Sequence, residues 1–263
     1  MRPLLLVLLL ASCVTEELEE VNEATVENEL QSANKLAANK LAANKLAANK
    51  LAANKLAANS LASLELMATP DGREVMSYIV GCALPTGTSV RLSDPAGLTY
   101  SYAGWIGLAP SWATTVPTVS QRRWVSACVL ARTNLYGISV QISMRNINNP
   151  VLATTTTETT TFNVGEAAFY GDLFAPVPVM YACANKRFAT TPDLAVESFR
   201  ACARSANGIT TECGFTFTGY CGTAYTDGRP AACRSSSGSF VPCSGGATSY
   251  PETITIYLVK PAA

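Results

Sequence analysis

The sequence predicts an α+β domain with antiparallel strands and two to three helices, stabilised by disulfides and preceded by a helical repeat stalk. Three observations carry that prediction. Apolar residues at helical spacing alternate along the chain with short runs of period two. Six of the nine cysteines crowd between Cys183 and Cys243 among Gly, Ser and Thr. A five-residue unit recurs ahead of Met67.

Composition sets the bounds. The 263 residues are 48% hydrophobic and 14% charged, with 19 basic and 19 acidic side chains. Zero net charge leaves no basic footprint for nucleic acid, and the apolar fraction excludes wholesale disorder. The chain has no histidine, which excludes a Ser–His–Asp triad, a Cys–His pair and His-ligated zinc.

The elements follow in order. Arg2 and the apolar run Leu4 to Leu10 form a short leader, residues 1–12, far below the length of a membrane span. Leu10-Ala11-Ser12-Cys13 matches a bacterial lipobox, with Cys13 as the lipidated N-terminus; the bland alternative is a secretory signal with a chance cysteine. Two or more acyl chains on Cys13 give stable membrane anchoring. Val14, where an Asp favours inner-membrane retention, points to the outer membrane or cell surface. Residues 13–32 form an acidic segment that carries Glu16, Glu17, Glu19, Glu20, Glu23, Glu27 and Glu29.

Residues 33–66 repeat Leu-Ala-Ala-Asn-Lys, with leucines at 36, 41, 46, 51, 56 and 61. Ala, Leu and Lys favour helix. A five-residue step turns a helix by roughly 140°, so the leucines circle the cylinder and no coiled-coil stripe forms. A pentapeptide β-solenoid shares the period, but Lys between Asn and Leu breaks its frame. A helical spacer is the expectation, reaching about 75 Å from Cys13 if fully helical, with solenoid and disorder as alternatives. Removal of two or three repeats is expected to leave the domain's stability unchanged.

Residues 67–263 form one cysteine-rich domain, within the usual size range. Asp71 N-caps a helix through Ala83, with Glu74 at capping-box spacing. Ser89–Ser93 and Leu98–Tyr102 flank the turn Asp94-Pro-Ala-Gly97. A second helix spans Ser120–Tyr136, with Gly137 as its stop. Ile138–Met144 alternates as a strand, and Thr154–Thr161 is either a strand or an exposed loop. Residues 193–203 form a short helix after Pro192, and Thr253–Val259 is the last strand.

The repeat array together with GREVMSYIVGCALPTG, GWIGLAPSWA, RRWVSACVLARTNLYG and EAAFYGDLF resembles a group of uncharacterised myxobacterial lipoproteins with N-terminal pentapeptide repeats, over most of the chain. That group has no established activity, so the resemblance carries over no catalytic residue and no ligand.

With Cys13 lipidated, eight cysteines remain: Cys82, Cys128, Cys183, Cys202, Cys213, Cys221, Cys233 and Cys243. None has C-x-x-C spacing, so a disulfide framework is expected over a reactive or metal-bound thiol. Cys82 and Cys128 stand on the apolar faces of the two predicted helices and are paired with each other. Cys183–Cys202 is the choice among the other six. Glu166 and Asp172, in an aromatic stretch, are the weak catalytic candidates, as acid and base of glycoside hydrolysis; the bland reading is a capped or salt-bridged carboxylate. Ser32-Ala-Asn-Lys35 matches S-x-x-K by chance, inside the repeats. Trp105 and Trp112, with Tyr100 and Tyr102, suggest a sugar platform or core, and Trp124 on a helix face reads as core. The expected function is a non-catalytic binding or structural domain anchored to the membrane, without metal or cofactor, facing an envelope protein or polysaccharide. A carboxylate-based extracytoplasmic hydrolase is the alternative.

Overall fold

The computed structural model describes residues 34–56, 60–186, 200–224 and 230–259, so the leader, Cys13 and the acidic segment lie outside the described residues. The largest departure from expectation is in the repeats. One pentapeptide takes three backbone forms in succession: strand β1 (Leu36–Ala37), helix α1 (Ala38–Asn49) and a 3-10 turn over Lys50–Ala53. Leu36, Leu41, Leu51 and Leu56 are buried in one apolar cluster with Val75, Ile79 and Leu130. Leu46 faces outward, because one five-residue step inside α1 rotates it away from Leu41. Breaking the helix after Asn49 brings Leu51 and Leu56 back to the core. The segment is a docked layer, which corrects the stalk expected of residues 33–66.

Polar contacts fix this layer. The Trp112 indole donates to the Asn54 carbonyl at 2.9 Å, and Leu56 N donates to the Trp112 carbonyl at 2.9 Å. Lys40 reaches Glu74 at 2.6 Å and Asp71 at 3.4 Å, and Lys50 reaches Glu65 at 2.6 Å. These pairs are partly exposed, so apolar burial carries more of the docking than they do.

Helix α2 (Leu61–Met67) leads into α3 (Pro70–Ala83). Thr69, not Asp71, caps α3: its hydroxyl accepts from Gly72 N at 3.0 Å, and Pro70 takes the first helical position, where its missing N–H costs nothing. Gly72 is required by close approach, because a Cβ there would stand 1.9 Å from the Leu66 carbonyl oxygen. Strands β2 (Ser89–Ser93) and β3 (Thr99–Ala103) form the expected hairpin. Asp94 closes its turn by accepting from Ala96 N and Leu98 N at 2.9 and 3.0 Å. Helix α4 (Val119–Ala131) starts in a Thr118/Gln121 capping box. It stops five residues short of the expected Tyr136, because Thr133–Asn134 (β4) leaves the helix to pair in parallel with β1.

Eight strands make the main sheet: β5 (Ile142–Arg145), β6 (Phe162–Asp172), β7 (Val179–Asn185), β8 (Thr216–Cys221), β9 (Cys233–Ser236), β10 (Ser239–Gly245), β11 (Thr248–Tyr250) and β12 (Ile254–Val259). Their order is β11-β10-β9-β8-β7-β6-β12-β5. Most pairs are antiparallel as expected, but β7–β8 and β8–β9 are parallel. The strand expected at Ile138–Met144 shortens to β5. The Thr-rich run, expected as strand or loop, is helix α5 (Thr156–Thr161), capped by Thr155. Thr160 and Thr161 turn their hydroxyls back on the carbonyls of Thr156 and Thr157 at 2.9 and 3.0 Å, which satisfies them within the helix. Of the helix expected at 193–203, residues 193–199 lie outside the described residues; Ala201, Cys202 and Ala203 lie outside any helix, with Ala201 at φ 43°.

The sheet separates two cores. Ala167 and Phe169 of β6 join the larger one, under α3 and α4, while Ala168 and Tyr170 join a smaller one on the opposite face. The sheet curls over that second core. Tyr170 Oη donates to the Ser244 carbonyl at 2.9 Å, and Phe240 N donates to Thr255 Oγ1 at 2.8 Å, which brings β10 back towards β6 and β12.

Four disulfides join Cys82 to Cys128, Cys183 to Cys221, Cys202 to Cys213, and Cys233 to Cys243. The first ties α3 to α4, as their apolar faces predict. Cys183–Cys202 does not form, because Cys183 faces the smaller core and Cys202 lies in the larger one, across the sheet.

Candidate functional site

Glu166 and Asp172 stand six residues apart on β6, roughly 20 Å along an extended strand, against the ~5–10 Å that separates glycosidase carboxylates. Each also has an arginine. Glu166 sits at a bulge: Ile256 pairs with Ala167 and Tyr257 with Gly165, which leaves Glu166 without a partner on β12. A bulge re-aims a side chain that strict alternation would place with Ala168 and Tyr170. The Glu166 carboxylate thus meets Arg200, whose Nε donates to both oxygens at 2.9 Å. Arg200 Nη2 donates to the Ala131 carbonyl at 2.7 Å, and its guanidinium lies 5.9 Å from the Phe169 ring. Both side chains are fully buried. The carboxylate is buried and paired inside the core.

Asp172 is buried at the other end of β6. Its Oδ2 accepts from Arg122 Nη2 at 3.3 Å and its Oδ1 from Phe174 N at 3.0 Å. Burial pushes its carboxyl above the ordinary 3.8, against the opposing pull of Arg122. A carboxyl raised in the folded state contributes stability that is fully present below the unfolded value and is lost as pH rises through the folded value. Asp172→Asn removes that loss. Urea midpoints measured below pH 3.8 and again at neutrality should therefore move in favour of the Asn variant as pH rises. A constant difference, or movement the other way, contradicts burial as the dominant influence.

The tryptophans do not form a platform. Trp112 is wholly buried, edge-on to Phe174 with ring centroids 4.9 Å apart. Tyr102 is buried, with its hydroxyl 3.1 Å from Met67 Sδ, and Tyr100 stacks under Arg73 at 4.9 Å. Trp124 packs on the larger core, as expected of a helix face. Trp105 is half-buried, with Arg132 4.4 Å from its ring centre. Arg132 also lies 4.5 Å from the Tyr78 ring and donates from Nε to Asn34 Oδ1 at 3.2 Å. Burial lowers its pKa to about 10. No sequence pattern singled out Arg132 or Arg200, because both partnerships join segments far apart in the chain.

Two clefts open beside this aromatic–arginine stack. One, of about 510 Å³, lies where the repeats meet α3, lined by Lys35, Lys40, Glu74, Tyr78, Arg132 and Tyr136. The other, of about 570 Å³, runs along the outer side of β5, between Trp105, Ile106, Leu152 and Phe162 on apolar walls and Ser143 and Glu158 on a polar one. There Ser143 Oγ donates to Glu158 Oε1 at 2.6 Å while accepting from Arg145 Nε at 2.8 Å, which holds the carboxylate in place. This volume and mixed lining suit a small ligand or a protruding group. No family model, no curated protein and no solved structure matches the chain. Among the described residues, no helix is long and apolar enough to cross a membrane.

Proposed function

We propose that the chain is an extracytoplasmic lipoprotein, anchored through acyl chains on Cys13, whose domain binds an envelope component without catalysis, in keeping with the lipoproteins it resembles. The observation that carries the reading is that a lipobox-like leader precedes a domain in which Cys82 and the seven cysteines after it are all joined in disulfides. Such bridges persist in oxidising compartments outside the cytosol. The hydrolase alternative loses its support, since its two carboxylates are buried in separate arginine pairs. The β5 cleft between Trp105 and Glu158 is the ligand seat.

Cys13→Ala should abolish fatty-acid labelling and release the protein from membranes or leave an unprocessed precursor. Labelling that survives the substitution overturns the anchor. For the seat, Ala153→Trp fills the cleft from an exposed position. An envelope component captured by the wild-type chain should be lost by this variant; equal capture by both removes the cleft from the reading.

A further inference from the structure

Cys183, Cys221, Cys233 and Cys243 stand on four successive strands of the sheet, β7, β8, β9 and β10, all facing the smaller core. Cys221 and Cys233 are register partners across β8–β9, yet each is bonded elsewhere. Cys183 Sγ and Cys233 Sγ, which belong to different bridges, approach to 3.2 Å, and the sulfurs of Cys183, Cys221 and Cys233 lie within 4.8 Å of one another. Among the described residues, the seam at which they meet is the sheet's shortest ladder, one residue pair between β8 and β9. We propose that these two bridges form an exchange pair, in which reduction of one by a small external thiol, which supplies two electrons and two protons and is itself oxidised to a disulfide, lets the covalent link move to Cys183–Cys233. The device is independent of the anchoring and binding reading.

The chemistry balances within the protein once one thiol exists. The Cys233 thiol gives its proton to solvent, and the thiolate attacks Cys183 Sγ. The Cys183–Cys233 bond forms as the Cys183–Cys221 bond breaks, and Cys221 leaves as a thiolate that takes up a proton. The number of disulfides and electrons is unchanged. Proximity makes the step intramolecular, and thiolate supply sets its rate. All four cysteines are buried, so a thiol formed at one of them has a neighbouring bridge as its nearest disulfide. Its product links β7 directly to β9 and releases β8 from its staple.

Cys243→Ala leaves Cys233 as a thiol beside the intact Cys183–Cys221 bridge and needs no reductant. Acid quenching, alkylation and non-reducing peptide mapping should find two species. One carries Cys183–Cys233 with alkylated Cys221, the other Cys183–Cys221 with alkylated Cys233. Their interconversion should quicken about tenfold per pH unit below the thiol pKa. Cys221→Ala, which frees Cys183 instead, should yield Cys183–Cys233 with alkylated Cys243. In Cys213→Ala the thiol should stay on Cys202, which lies across the sheet. If neither cluster variant folds, the unaltered chain can be opened with a limiting phosphine, which supplies two electrons per bridge while water supplies two protons. Singly reduced chains should then include Cys183–Cys233. Native bridges alone, in the folded variants or in the singly reduced chain, overturn the proposal.

Discussion

Glu166→Gln is expected to lower unfolding free energy by about 3–5 kcal/mol, the cost of stranding one member of a buried ion pair. The glutamine removes the charge that compensates Arg200, a side chain with no exposed surface. Among the described residues, Arg200 Nη1 has no hydrogen-bond partner. Arg200→Met should cost a similar amount by leaving the carboxylate and the Ala131 carbonyl without their donors. Removing both charges in a Glu166→Leu/Arg200→Met chain should recover much of the loss, because hydrophobic replacement of a buried pair is often close to neutral. Urea unfolding of the three variants measures the coupling directly. Near-neutral single substitutions would mean that water or another group reaches the site.

Leu41→Ala and Leu46→Ala provide the second large effect and its internal control. The two leucines have the same four neighbours on either side, Ala-Ala-Asn-Lys, and sit in one helix. Leu41 is 1% exposed and Leu46 61%. Truncating the buried one should cost about 2–5 kcal/mol, from lost burial and the cavity left behind. Truncating the exposed one should stay within about 0.5 kcal/mol. Equal effects would show that the repeats do not dock as described. Deleting two or three repeats is now expected to destabilise the domain strongly, the reverse of what a spacer predicts, since Leu51, Leu56 and the Asn54 carbonyl that holds Trp112 would go with them.

What could be read from residues alone was whatever depends on neighbours in the chain. The helix ending at Ala83, the Asp94-Pro-Ala-Gly97 hairpin and the last strand all follow from local spacing and turn chemistry. Cys82–Cys128 was legible because two amphipathic faces had to meet and carried one cysteine each. The site followed less well. Glu166 and Asp172 were visible as unusual carboxylates, but their arginines, at 200 and 122, come from segments that no periodicity links to β6.

The repeats mark the limit most sharply. Five identical residues cannot encode strand, helix and 3-10 turn by propensity, which is weak enough for packing to override. Which leucines turn inward is settled by the surface that α3 and Trp112 present to them. The remaining disulfides obey the same limit. Cys183 and Cys202 are near in sequence, but the sheet stands between them, and the face a strand residue occupies follows from register and bulges that form only when distant strands pair. Local spacing and turn chemistry were enough for the helix ending at Ala83, the Asp94–Gly97 hairpin and the last strand, with the apolar faces they carry. Which faces the repeats cover, which charges pair in the core and which sulfurs meet depends on surfaces assembled from residues far apart in the chain, and only the folded chain brings those together.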